Sequence, residues 1–116
     1  MGSGVRERID ARRREIAERL ADVERRLGEV RIARAEWTDE EHDPEGFALT
    51  FEWQQAEGGR TEYLAELAAL DAAEARVRNG TYGVCEVCGE PIPDAQLALR
   101  PARTACVACV DRAARR

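Results

Sequence analysis

Lysine is absent from this 116-residue sequence, histidine and methionine occur once each, and tryptophan, tyrosine and phenylalanine twice each. With aromatics at 5% and charged residues at 35%, long solvated helices fit the composition better than a thick globular core. No run approaches the roughly 20 apolar residues of a membrane span. The N-terminus has no apolar signal core, so a cytoplasmic protein without membrane contact is expected. There is also no Ser/His/Asp or Cys/His constellation and no phosphate loop, which argues against an enzyme. The exclusive use of arginine is read as a coding bias toward GC-rich codons rather than a demand for guanidinium groups.

The net charge is −5 and the pI about 5.0. That balance excludes a uniformly basic duplex-binding domain. Its distribution is uneven. Residues 1–34 hold ten Arg against seven acids, residues 35–79 three against twelve, and residues 80–116 five against four. An acidic middle therefore lies between two mildly basic ends.

Setting aside residues 1–4 as a flexible N-terminus, a first helix is expected from about Val5 to Trp37. Its apolar residues are Ile9, Ile16, Leu20, Val23, Leu27, Val30 and Trp37, spaced by sevens, fours and threes. This is a heptad stripe flanked by charge. A turn follows at Thr38–His42, and Asp43-Pro44-Glu45 supplies an N-cap, a first-turn proline and a first-turn acid. The second helix should run from Pro44 to Asn79, with Gly80 as its stop. Trp53, Ala56, Tyr63, Leu67, Leu70 and Val77 continue the three-four alternation, interrupted by Arg60 and Glu74. Gly58-Gly59 costs about 1 kcal/mol per glycine, yet the heptad phase is unchanged across it, so a continuous, locally weak helix is expected. Two such helices joined by a short turn form an antiparallel hairpin over residues 5–79, with an acidic tip at about 38–48.

The four cysteines form two knuckles, Cys85-x2-Cys88 and Cys106-x2-Cys109, separated by seventeen residues. Each knuckle aims two sulfurs at one point, and two knuckles supply the tetrahedral four-sulfur set that zinc prefers. Gly83 and Gly89 flank the first knuckle where tight turns are needed. Disulfides and a redox pair are the alternatives. The first conflicts with a reducing compartment, and the second with the absence of a βαβ pattern. One Zn2+ is expected, and a closed four-thiolate shell makes it structural rather than catalytic.

Gly80-x-Tyr82-Gly83-x-Cys85-x-x-Cys88-Gly89-x-x-Ile92, followed by Leu97, Arg100-Pro101 and Cys106-x-x-Cys109, closely resembles the zinc-finger signature of the DksA/TraR family. The order of elements agrees along essentially the whole chain. The resemblance implies a mainly α fold: a long antiparallel two-helix coiled-coil hairpin, a small C-terminal four-cysteine zinc finger over residues 80–116, and a short final helix. It further implies a bacterial transcription regulator that binds RNA polymerase and inserts the coiled-coil tip into the secondary channel to modulate initiation. Direct sequence-specific DNA binding is not implied, and a monomer is expected.

The family's tip carries Asp-x-x-Asp-x-Ala. Here Asp43 and Ala48 match while Gly46 stands at the second Asp. Asp39, Glu40, Glu41 and Glu45 are nearby carboxylates able to share the role. Asp43 also reads simply as a helix N-cap, and the two roles are compatible. Positions that are basic in members responsive to the alarmone ppGpp fall at about Glu62, Ala69 and Val110, so no ppGpp dependence is expected through them. His42 reads as a solvated turn residue, while Trp37 and Trp53 read as seam residues. Two readings of Phe47 and Phe51 stand, covering the hairpin end or meeting a partner. Competing functions are a nucleic-acid- or protein-binding finger resting on Arg100, Arg103, Arg112, Arg115 and Arg116, and a thiol redox sensor.

Overall fold

In the computed structural model, residues 2–36 and 44–115 are described, except the side chains of residues 2, 3, 44–47 and 49. They form α1 (Gly2–Glu36), α2 (Pro44–Asn79), α3 (Asp94–Leu99) and α4 (Val107–Ala114). Among the described residues, the only β pairing is an isolated antiparallel bridge between Val84 and Pro91. The mainly α expectation holds. No helix among the described residues is long and apolar enough to cross a membrane. The α2 limits coincide with the expected ones, and α1 starts three residues ahead of Val5, so residues 2–4 are helical. Val5 is itself buried. The expected turn at Thr38–His42, together with Trp37 and Asp43, lies outside the described residues.

The chain divides into two compact units, one comprising Met1–Arg14 with Glu66–Arg116, the other Glu15–Ala65. In the second unit, the stripe predicted for α1 is the buried one. Ile16, Leu27 and Val30 are buried, Leu20 and Val23 half-buried, and Ala56, Tyr63 and Trp53 answer from α2. Arg60 Nε donates to Glu24 Oε1 at 2.7 Å, and Arg31 lies 5.7 Å over the Trp53 ring. These partners run forward along α1 and backward along α2, which is antiparallel pairing. Thus Arg60, which interrupts the apolar pattern, closes the side of the seam.

The helix continues through Gly58 and Gly59, and a Cβ added at either meets nothing within 4 Å. These glycines relieve no close approach, so they only weaken the helix. Gly58→Ala and Gly59→Ala should each stabilise the hairpin by up to about 1 kcal/mol. A rise in thermal midpoint and slower amide exchange across residues 55–62 would show it; a fall would mean the added methyl meets something.

In the first unit, Val5, Ile9, Leu70 and Ala73 are buried. Arg13 Nη2 binds Asp71 Oδ1 at 2.6 Å and Glu74 Oε2 at 2.5 Å, giving Glu74 the same flanking role as Arg60. Arg12 donates to both oxygens of Glu66, at 2.5 and 2.7 Å. This fork holds the Glu66 carboxyl below its ordinary range, hydrogen bonding from Arg12 outweighing partial burial. A carboxylate depressed in the fold stabilises at neutral pH, and the effect fades as pH falls through its folded value. Both side chains are about a third exposed (27% and 32%), so screening limits the effect. Glu66→Gln should cost about 0.5–1 kcal/mol at neutral pH, and the two proteins should converge in acid denaturation profiles. A constant difference across pH would exclude the ion pair as the cause.

Helix α2 ends in a Schellman motif. Thr81 N–H donates to Arg76 O at 2.9 Å and Gly80 N–H to Val77 O at 3.3 Å, with Gly80 at φ 74°. The left-handed glycine turns the chain out of the helix and into the first knuckle.

Candidate metal centre

Three short devices bring the cysteines together. Around the first knuckle, Ile92 N–H donates to Gly83 O at 2.7 Å, Cys85 N–H to Glu90 O at 2.8 Å, and Gly89 N–H to Cys85 O at 2.9 Å. Gly83 and Gly89 take φ values of 84° and 77°, the left-handed conformation expected of them. A Cβ at Gly83 would also lie 3.5 Å from Leu97 Cδ1.

The second device is α3, which the sequence reading did not anticipate. It delivers Leu97 to a small core with Cys85, Ile92 and Cys109, against which Tyr82, Ala105 and Cys106 pack. Its Gln96 Oε1 accepts the Val107 N–H at 3.0 Å, satisfying a free donor at the start of α4. The third is the segment between α3 and α4. Tyr82 Oη donates to Pro101 O at 2.7 Å, and Glu86 N–H to Thr104 O at 2.9 Å, pinning it beside the first knuckle. Burial raises the Tyr82 hydroxyl above its ordinary value, keeping it a donor. Helix α4 then presents Cys106 at its N-cap and Cys109 in its first turn.

As a result the four Sγ atoms lie within 4.8 Å of one another, Cys85 and Cys109 buried, Cys106 intermediate and Cys88 exposed. A zinc tetrahedron with bonds of about 2.3 Å needs sulfur–sulfur edges of about 3.8 Å, so small side-chain adjustments complete it. Donor chemistry also fits. Backbone N–H groups of Cys88 and Cys106 point at Cys85 Sγ at 3.5 and 3.4 Å, pulling that thiol down to about 6. Cys109 is pushed up to about 12, chiefly by hydrogen bonding with Cys106 and then by burial. One sulfur ionises readily and another resists, because it holds its proton in hydrogen bonds to neighbouring sulfurs in a buried setting. A divalent ion removes that resistance and displaces the protons. The finger is a site for one structural Zn2+, and Cys85, Cys88, Cys106 and Cys109 are the residues that would hold it. With all four positions taken by thiolate, such an ion would clamp the fold and leave no place for substrate.

Residues 80–113 match the prokaryotic dksA/traR C4-type zinc finger, covering both knuckles and most of α4. The C-terminal finger is of the dksA/traR type. Over 50 residues it is 44% identical to the RNA polymerase-binding transcription factor DksA of Caulobacter vibrioides, a match spanning 43% of this chain and 35% of the relative. An uncharacterised protein of Aquifex aeolicus is 29% identical over 94 residues, which is 81% of this chain and 61% of that one. The chain thus matches less than two thirds of the length of either relative. Transcription factor DksA2 from Pseudomonas aeruginosa shares the fold at a TM-score of 0.53 and 21% identity, over 94% of this chain and 84% of that one. The DksA/TraR resemblance read from the knuckles and helices is therefore borne out.

The tip residues have no such description. Asp39, Glu40, Glu41 and Asp43 lie outside the described residues, as does the side chain of Glu45; Ala48 is exposed. Two features of the DksA/TraR finger escaped the sequence reading. The Gln96 cap has no local signal, whereas Arg112, whose Nη2 lies 3.7 Å from Cys109 Sγ, has one: the i, i+3 spacing on α4.

Proposed function

We propose that this chain is a transcription regulator that binds RNA polymerase through the secondary channel. The observation that carries the reading is the dksA/traR-type finger continuing directly from a helical hairpin, a pairing whose fold recurs in a named transcription factor. The closed zinc shell supports a non-catalytic role, and the finger's near balance of charge, five Arg against four acids, argues against duplex DNA as the main partner. In this reading the acids Asp39, Glu40, Glu41, Asp43 and Glu45, with Ala48, form the contacting tip. The chain acts as a monomer in the cytoplasm.

Regulation without ppGpp belongs to the same proposal. Ala69 and Val110 line a groove whose cations come instead from Arg12, Arg100 and Arg103. Arg12 is engaged by Glu66, and Arg103 donates to Ala105 O at 3.2 Å. Adding ppGpp should therefore change the response no further than it changes polymerase alone.

The test is association of the zinc-loaded chain with core RNA polymerase in gel filtration or interferometry. Saturable binding with weak, salt-insensitive retention of duplex DNA is expected. A steeply salt-dependent affinity for DNA without polymerase binding would overturn the proposal.

A further inference from the structure

Zinc bound by four thiolates carries a formal charge of −2, and two of those sulfurs, on Cys85 and Cys109, belong to residues that are 1% and 4% exposed. A buried anionic cluster needs donors or counter-charge. Cys85 obtains two backbone N–H groups, from Cys88 and Cys106. Cys109 has a different neighbour. One turn further along α4, the Arg112 guanidinium reaches back and places Nη2 3.7 Å from Cys109 Sγ.

We propose that Arg112 is the charge partner of the zinc–thiolate centre, positioning Cys109 and opposing loss of the metal. The chemistry favours arginine. A guanidinium stays charged at every working pH, sheds hydration more readily than an ammonium, and presents N–H groups in a fixed plane. Metal ligands are tuned by such outer donors, whose loss typically weakens metal binding 10- to 100-fold. Arg112 also stands in the last turn of α4, where a cation is favoured by the helix dipole. That second benefit supplies the competing explanation, and the test separates the two.

The full chain is loaded with zinc and its affinity measured by chelator competition for wild type, Arg112→Met, Arg112→Lys and Arg115→Met. Arg112→Met keeps the apolar stem and should bind zinc about tenfold more weakly. Arg112→Lys should recover most of the loss. Arg115→Met removes an equal charge at the end of the same helix and should change nothing. In the cobalt-substituted protein, Arg112→Met should move the thiolate-to-metal charge-transfer band to lower energy, because the sulfur has lost a donor. Zinc affinity of Arg112→Met within twofold of wild type would overturn the proposal. So would equal losses in Arg112→Met and Arg115→Met, or an unmoved charge-transfer band, since either leaves only a helix-dipole effect.

Discussion

In a Cys106→Ser variant, bound zinc is expected to fall from one ion per chain to none, and the segment beyond Gly80 to lose its fixed fold. The apolar core there consists of Cys85, Ile92, Leu97 and Cys109, and two of those four are ligands. Such a core supplies only a few kcal/mol of burial at about 1.5–3 kcal/mol per large side chain. Structural zinc contributes roughly 10 kcal/mol or more, comparable with the whole stability of a small domain at about 5–15 kcal/mol. The metal therefore decides whether the module folds. Helix content is a blunt probe of the loss, because α3 and α4 hold six and eight residues against 35 and 36 in α1 and α2. Zinc stoichiometry with limited proteolysis between residues 83 and 106 is the sharper measurement. Retained zinc with protection of that segment would contradict a four-ligand structural site.

The second large effect is expected at the tip. Under the proposed function, Asp43→Ala should keep polymerase binding while losing the effect on initiation. The reason is placement: a carboxylate carried into a channel near a metal-dependent centre acts through its charge, whereas the seam acts through packing. Since Asp43 also reads as an N-cap, its removal carries a stability cost of about 1 kcal/mol. Asp43→Asn, which preserves capping without the charge, isolates the electrostatic role. Loss of effect in both variants indicts the charge. Normal activity in Asp43→Asn leaves only the cap. Gly46→Asp restores the family's second acid and should strengthen the transcriptional effect if Gly46 is what sets this chain apart.

Much of this architecture is legible because its signals are local and redundant. Helix α2 begins at Pro44 and ends at Asn79, before Gly80, because proline fits a first turn and the left-handed stop favours glycine. Cysteine spacing announces the metal because the knuckle geometry is set within four residues. Other features depend on the fold around them. Helix α3 is six residues long, too short to show a period. Ala73 is fully buried, yet an alanine among Ala72, Ala75 and Ala68 is indistinguishable by sequence from its neighbours. Arg60 and Glu74 read as breaks in the seam, but their partners Glu24 and Arg13 lie in another helix. Gln96 lies eleven residues from Val107, and only the folded finger brings its side chain to that N–H.

Proximity labelling tests the central claim most directly. A photo-reactive residue at exposed Ala48, near the start of α2, would report what surrounds that end of the helix in the proposed polymerase complex. The account predicts crosslinks to the wall of the secondary channel, with none from the same probe placed at Arg115, the C-cap of α4. Crosslinks from Ala48 to promoter DNA, or to polymerase surfaces away from that channel, would contradict it.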